Sequence, residues 1–341
     1  MEASAPPVSG GRSTLGRSPV SRLPDQIMQV GLTVLAAGIL VLLAYFFIRL
    51  IGESTDALSK FGLSFVFGND WDVSRLTFHG APLLFGTIVT SVIALIIGVP
   101  IAVATALFLT ELCPRRARGP LSMLVDLLAA VPSVVYGLWG VFVLIPRLLP
   151  AEKWVASTFS FIPFIGGPVS GPNYFIAGLI LAIMILPIVS AISREVIATV
   201  PSEHKEAALA LGATRWEMIR MSVLPYARPG ITGGAMLGLG RAIGETIAVV
   251  LVIGDAPVIG HSIFSQGYSL AAVIANEFGE AAATPIHSSA LFAAGLVLFV
   301  LTLIVNILAR WFVARGLRNQ RGSAGTDGNV IVAAEPAGDA T

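Results

Sequence analysis

Charged residues are scarce in this sequence. Only 12% of the 341 residues are Asp, Glu, Lys or Arg, whereas 55% are hydrophobic, and the mean hydropathy is +0.84. A soluble domain carries about a quarter charged residues. The composition therefore excludes an ordinary soluble domain and indicates an integral membrane protein in contact with lipid. The net charge of +1 gives no indication of a nucleic-acid partner, and none is predicted.

Cysteine, lysine and histidine are also rare. The single Cys113 cannot form an internal disulfide, and no redox role is predicted. The only lysines, Lys60, Lys153 and Lys205, follow Ser, Glu and His, whereas a P-loop needs Gly-Lys followed by Ser or Thr. The four histidines have no metal-ligand spacing. Because no hydrophobic segment pairs a nucleophile with a base, the chain is predicted to be a non-catalytic protein without metal or cofactor.

Long hydrophobic runs are abundant. Segments of about 20 apolar residues cross a bilayer as helices, and six are present. They run approximately over residues 27–51, 82–112, 121–149, 174–192, 231–253 and 289–312. Pro100 and Pro132 interrupt the second and third, where the missing backbone donor predicts a kink or a break. The predicted fold is an all-α membrane protein with six transmembrane helices.

The distribution of Lys and Arg predicts the orientation in the membrane. With the N-terminus in the cytoplasm, most of these residues fall in cytoplasmic segments, which include the cluster at 115–118 and the loop 193–230. Both termini are therefore predicted to be cytoplasmic. Residues 1–26 and 319–341 contain too few apolar side chains to offset the entropy of ordering. They are predicted to be disordered tails that flank a membrane domain over residues 27–318.

The cytoplasmic loop 193–230 carries the signals of a short helix. Pro201 suits its first turn, and the negative charges of Glu203 and Glu206 complement the helix dipole near its start. Gly212 can adopt the left-handed conformation that ends a helix. A short helix over about 201–212 is predicted.

A second short helix is predicted after the glycine. Thr214 and Glu217 have the spacing of a capping box, and this helix is expected to stop before Pro225. On the first helix, Ala207 and Ala208 leave a low surface that another protein can approach closely. Two interpretations remain open from the residues alone: a docking surface for a partner protein, or an amphipathic hairpin that rests on lipid headgroups.

The spacing within this loop resembles a known motif, the EAA loop of ABC-importer permeases. The residues that carry the resemblance are Glu206, Ala207, Ala208, Gly212, Leu224 and Pro225. Ser222 departs from the family pattern, which usually has an apolar residue there. The resemblance implies that the short helix docks into a separate ATPase subunit, which uses the ATP.

The fifth hydrophobic segment contains a charged pair. Arg241 lies near its middle, where an Arg costs about 2.5 to 3.5 kcal/mol on insertion scales. Glu245 follows four residues later and is predicted to lie on the same helical face. One interpretation is an ion pair that only fixes helix packing. The other is a substrate pathway in which Arg241 holds phosphate-like oxygens and Glu245 orients it.

Two further runs resemble the permeases of the phosphate-specific ABC importer, and more closely the PstC type than the PstA type. They are the Arg-Ala-Ile-Gly-Glu-Thr run at 241–246 and the run at 130–140 that contains Pro-Ser-Val-Val-Tyr-Gly. The resemblance covers about residues 27–318. It implies a type I importer fold in a bacterial plasma membrane, and it implicates Arg241 and Glu245 in phosphate passage. The implied partners are a PstA-like permease, a PstB-like ATPase dimer and an extracytoplasmic phosphate-binding protein.

Two alternatives to phosphate import are kept. A permease of the same superfamily for molybdate or sulfate would have the same docking loop. An autonomous secondary carrier or channel would account for six spans and a buried charged pair, but it would not need that loop.

Overall fold

The structure is a computed structural model that describes the backbone of residues 22–327 and the side chains of residues 26–311. Most of the two tails predicted to be disordered lies outside these ranges. Of the predicted tails, residues 22–26 belong to the first helix and residues 319–327 continue the last one.

The described chain is mostly helical, with one small hairpin and two longer irregular segments at 159–173 and 254–269. The helices are α1 (Arg22–Phe61), α2 (Ser64–Phe67), α3 (Ala81–Leu107), α4 (Arg115–Ala130), α5 (Ser133–Trp139), α6 (Ile145–Thr158), α7 (Tyr174–Ala198), α8 (Ser202–Ala210), α9 (Arg215–Met218), α10 (Leu224–Ile243), α11 (Ile247–Ile253), α12 (Leu270–Ala281) and α13 (Pro285–Asp327). Strands β1 (Trp71–Asp72) and β2 (Thr77–Phe78) pair antiparallel, with Trp71 opposite Phe78. Short π-helical stretches follow α3, α5 and α9, at Phe108–Leu112, Gly140–Leu144 and Ile219–Val223.

Six segments of the described chain are long and apolar enough to cross a membrane. Five are single stretches, Gln26–Phe61, Ala81–Leu112, Ser133–Thr158, Tyr174–Ala198 and Pro285–Trp311. The sixth is a pair, Arg215–Ile243 and Ile247–Ile253, bent by 67° at a short break. The prediction of an all-α protein with six spans is confirmed.

The predicted bounds of the third span are wrong. Val131 and Pro132 take extended backbone conformations, so α4 ends at Ala130 and the span begins at Ser133. The break predicted at Pro132 is therefore present, and it detaches the arginine-rich helix α4 from the span. Pro100, in contrast, lies inside α3 without ending it.

Contacts divide the chain into residues 1–50 and 51–341. The described part of the first unit is the beginning of α1, whose apolar side chains are largely exposed, as expected for a lipid-facing helix. The second unit contains the other helices and three buried apolar clusters. The largest cluster centres on α7, with Ile180, Ile185 and Val189 among its fully buried residues.

Glycines allow α3 and α7 to pack closely within this second unit. A Cβ at Gly178 would lie 2.5 Å from Ile93 Cγ2, and one at Gly98 would lie 3.0 Å from the carbonyl oxygen of Ala182. Close approach at small residues is a common way for membrane helices to associate. The α3 and α7 pair thus forms a closely packed centre, against which α10 also packs.

Candidate functional site

Helix α8 and the turn after it lie at one end of the second unit, here named the inner end because the sequence predicts that this loop is cytoplasmic. Gly212 has φ +84° and its N–H donates to the carbonyl of Leu209, while the N–H of Ala213 donates to the carbonyl of Ala208. These two bonds form a Schellman motif, which satisfies carbonyls that the helix end would leave unpaired. The predicted glycine-terminated helix is present, with bounds Ser202–Ala210.

The predicted capping box is also present. The N–H of Glu217 donates to Thr214 Oγ1 at 3.3 Å, and the N–H of Thr214 donates to Glu217 Oε2 at 2.7 Å. The prediction that this helix stops before Pro225 is wrong. The helix continues through the π-helical stretch Ile219–Val223 into α10, and Pro225 lies in the first turn of α10. A π-bulge is one helical turn that contains an extra residue. Leu224 begins a new α-helical stretch after this bulge, and proline is tolerated in the first turn of such a stretch.

The two arms of this loop enclose a groove of about 670 Å³ at the inner end. Ala207, Leu211 and Gly212 line one wall, and Glu217 and Met221 line the other. Ala208 is buried beneath the groove in the third apolar cluster, so that α8 rests on the body of the protein.

The exposed residues of this surface are those that a docking partner would meet. Glu206 and Ala207 are exposed, and Leu211 is 90% exposed although it is apolar. Leu224 is half-buried beneath the loop, and Pro225 is exposed. The surface combines an uncovered leucine with small neighbours and the exposed carboxylates of Glu203, Glu206 and Glu217.

The sequence did not reveal two contacts that hold α8 in place. Ser222 Oγ, at the position that departs from the family pattern, donates to the carbonyl of His204 at 3.2 Å. Lys205 Nζ lies 2.6 Å from Glu111 Oε1, at the inner end of the second span. Neither contact follows from local spacing, because Lys205 and Glu111 are 94 residues apart in the chain.

The charged pair of the fifth span lies at the break in that span. Helix α10 ends at Ile243, Gly244 caps it, and α11 begins only at Ile247. The prediction that Glu245 continues the same helical face as Arg241 is therefore wrong. Arg241 occupies the last turn of α10, whereas Glu245 belongs to the connector.

Arg241 is exposed and Glu245 is half-buried, while their neighbours Ala242 and Ile243 are buried in the core. Among the residues whose side chains the structure describes, neither member of the pair forms an ion pair. Tyr136 lies within electrostatic reach of Arg241. The Arg241 side chain therefore lies at the surface of the described chain and not in its core.

The run 130–140 packs against α11, the second helix of the broken span. A Cβ at Gly137 would lie 3.1 Å from Ala248 Cα, and one at Gly140 would lie 2.8 Å from Val252 Cγ1, so α5 and α11 are in direct contact. Tyr136 Oη donates to the carbonyl of Leu128 at 2.7 Å and bridges the break between α4 and α5. The run 130–140 therefore packs against the helix that directly follows the run 241–246. No group of three or more metal-ligating side chains occurs within the described ranges.

A family model for binding-protein-dependent transport system inner membrane components matches residues 85–317. The chain belongs to this family, and it is a permease component of a membrane transport system.

Curated relatives are similar to the chain over most of its length. The phosphate transport system permease protein PstC of Mesorhizobium japonicum is 45% identical over 298 residues, which cover 86% of this chain and 91% of the relative. The protein of the same name from Pasteurella multocida is 42% identical, over 81% of this chain and 88% of the relative. The phosphate transport system permease protein PstC 2 of Mycobacterium tuberculosis is 41% identical, over 85% of this chain and 92% of the relative.

Solved structures support the fold. A chain of a bacterial alginate ABC transporter, in complex with a periplasmic protein bound to an alginate pentasaccharide, superposes with a TM-score of 0.56 at 19% identity. The match covers 86% of this chain and 98% of that chain. The fold is that of type I ABC-importer permeases.

Proposed function

We propose that this chain is a PstC-type permease subunit of an ATP-driven importer of inorganic phosphate. The identity of 45% to a phosphate permease over 86% of the chain supports the assignment. The structural observation that carries it is Arg241, which lies in a membrane span, is exposed and has no ion-pair partner in the described part of the chain. A guanidinium in this setting can hold phosphate oxygens through two parallel hydrogen bonds.

The chain would form half of the translocation pathway. A PstA-like permease would supply the other half, a PstB-like ATPase dimer the energy, and an extracytoplasmic phosphate-binding protein the solute. In this assembly Glu206, Ala207 and Gly212 belong to the surface that enters the ATPase. The membrane is the bacterial plasma membrane, and both termini are cytoplasmic. The chain itself carries out no chemical reaction, since ATP is hydrolysed by its partner.

Transport would proceed by alternating access. When ATP closes the two ATPase subunits, each docking helix moves with its ATPase and the spans rearrange to open a central path to the loaded binding protein. Hydrolysis returns the path to the inner side. ATP can drive this change only to the extent that it binds one arrangement more tightly than the other.

Reconstitution of the four components in proteoliposomes tests the substrate. Radiolabelled phosphate uptake should need ATP, and excess unlabelled phosphate should compete better than molybdate or sulfate. If molybdate or sulfate competes better than phosphate, that anion is the transported solute and the phosphate assignment is wrong. Uptake by this chain alone would exclude the importer altogether, because an ABC permease subunit needs its ATPase.

The Arg241→Gln variant tests the pathway. It should lose most uptake, whereas the matched variant Arg116→Gln, which removes an exposed arginine of α4 outside the docking loop, should keep it. Full uptake by Arg241→Gln would leave Arg241 with a packing role only.

A further inference from the structure

We propose that Lys205 and Glu111 form a mechanical link that transmits the movement of α8 to the second membrane span. The proposal rests on the proposed function, because it concerns how an ATPase docked on α8 moves the permease. Lys205 lies in the middle of α8, and Glu111 lies in the π-helical stretch Phe108–Leu112 that ends the second span. Their charged atoms are 2.6 Å apart.

The pair is shielded from solvent. The Lys205 side chain is 22% exposed and that of Glu111 is 11% exposed, in contrast to the exposed ion pair of Arg75 with Asp72 at 77% and 32%. Exposed pairs contribute little because water competes for both charges. A shielded, charge-assisted contact holds a fixed geometry, and loss of one partner leaves the other charge partly desolvated. The Lys205 to Glu111 contact therefore has the properties of a rigid connection.

Helix α8 does not need this pair in order to fold. Its C-terminal end is closed by the Schellman motif at Gly212, and Ala208 anchors it in the third apolar cluster. Ser222 ties it to the helical arm that follows in the same loop. Among the ion pairs between described residues, the pair of Lys205 with Glu111 is the one that joins α8 to a span outside this loop.

The receiving end of the link is suited to transmit motion. The π-helical stretch is continuous with α3, which packs along α7 at the centre of the second unit. The Arg118 guanidinium donates to the carbonyl of Thr110 in the same stretch and ties it to the start of α4. A displacement of α8 would therefore reach α3 and α4 through two adjacent residues, Glu111 and Thr110. We assign Lys205 and Glu111 as positioning residues for coupling.

The test measures uptake and ATP hydrolysis together in proteoliposomes that contain the complete transporter. The Lys205→Met variant should still purify with the ATPase and should still hydrolyse ATP, but solute imported per ATP should fall by about fivefold or more, the lower end of typical coupling between sites. Glu111→Gln should behave alike. Lys205→Arg should keep the wild-type ratio because it keeps the charge.

A charge exchange and a matched control complete the design. The double variant Lys205→Glu with Glu111→Lys should recover most of the ratio that either single change loses. Lys153→Met removes an exposed lysine from α6 and should leave the ratio unchanged. The proposal is overturned if both single variants keep the wild-type ratio, if the exchange gives no recovery, or if the variants lose the ATPase on purification, which would indicate docking.

The outcome is separable from the substrate assignment. If the wild-type complex imports an oxyanion other than phosphate, the proposed substrate is wrong, yet the ratio can be measured with that oxyanion. A fall in the ratio for Lys205→Met would then support the link independently.

Discussion

Arg241 and Glu245 are separated by the end of a helix: Arg241 completes the last turn of α10, and Glu245 lies in the connector before α11. The two side chains form no ion pair within the described structure, although they are only four residues apart. Each charge is therefore free to interact with a solute or with another subunit. The relationship favours a pathway role over a pair that only neutralises itself.

The separation predicts the outcome of a charge exchange. Arg241→Glu should lower phosphate uptake on the order of 10- to 100-fold, the loss expected for a hydrogen bond to a charged group. The double variant Arg241→Glu with Glu245→Arg should not recover uptake, because the two positions do not face each other along one helix. Uptake in proteoliposomes at matched protein levels measures this. Recovery to near wild type would show that the two residues act as a pair.

Substitution of Gly212 by a residue that disfavours positive φ should destabilise the turn after α8. A β-branched side chain at φ +84° is strained, and the left-handed conformation costs about 1–2 kcal/mol for residues other than glycine. Gly212→Val should therefore disturb the turn after α8 and reduce ATPase retention on purification of the complex. Gly212→Asn is the control, since Asn tolerates this conformation and no neighbouring atom lies within 4 Å of its Cβ position. Equal loss of ATPase in both variants would contradict the conformational explanation.

Two features of the loop 193–230 were predictable because they depend on interactions between residues close in sequence. The glycine terminus of α8 and the Thr214 to Glu217 capping box depend on residues within one or two turns, and both are present where the sequence placed them. The length and hydropathy of the apolar runs were likewise sufficient to predict six spans. A bilayer admits few structures other than helices, because each backbone polar group must be hydrogen-bonded within the protein.

Features that depend on tertiary contacts were missed. The π-helical stretch Ile219–Val223 carries the helix into Pro225, and no periodic pattern signals it. The break after Ile243 follows a run that reads as one continuous helix. The link between Lys205 and Glu111 requires two segments far apart in sequence. Sequence therefore supplied candidate residues, but it did not establish which of them touch.

Asp255, just beyond α11, should make stability depend on pH in the direction opposite to most carboxylates. Partial desolvation raises its pKa above the ordinary 3.8, the Asn276 side chain opposes this by hydrogen bonding, and the nearby Glu277 adds to it. A raised folded-state pKa means that the native state holds the proton more tightly than the unfolded state. Stability from this group is therefore present at low pH and is lost as pH rises from the ordinary pKa through the folded one.

Replacement of Asp255 by Asn removes this titration, and Asn also suits the φ of +51°. Because Asp255 remains exposed to solvent, we expect only a small gain in melting temperature at neutral pH, on the order of 1–2 °C, that shrinks toward about pH 4. Thermal unfolding of the purified complex in detergent checks it. Asp56→Asn, at an exposed carboxylate of α1, is the control. A loss of stability at neutral pH in Asp255→Asn would show that the charged form is favourable.

Glu277 should be required for the packing of the β-hairpin, α12 and the start of α13, here together named the outer end, because it satisfies two groups at once. Its Oε2 accepts from Trp71 Nε1 at 3.1 Å and lies 2.9 Å from Nε2 of His287, a buried ring that stacks on Phe78 with centroids 5.0 Å apart. These contacts join α12 to the β-hairpin and to the start of α13.

Glu277→Leu would leave the Trp71 and His287 nitrogens without this acceptor in a largely buried site, at a cost of about 1–3 kcal/mol for each orphaned group. We therefore expect a lower melting temperature and faster proteolysis of the outer loops. The matched variant Glu280→Leu changes an exposed glutamate one turn later on α12 and should cost less than about 0.5 kcal/mol. If the two variants melt at the same temperature, the outer end does not depend on Glu277, and the contacts of Phe78, Leu270 and Leu291 in the second apolar cluster alone would have to hold it together.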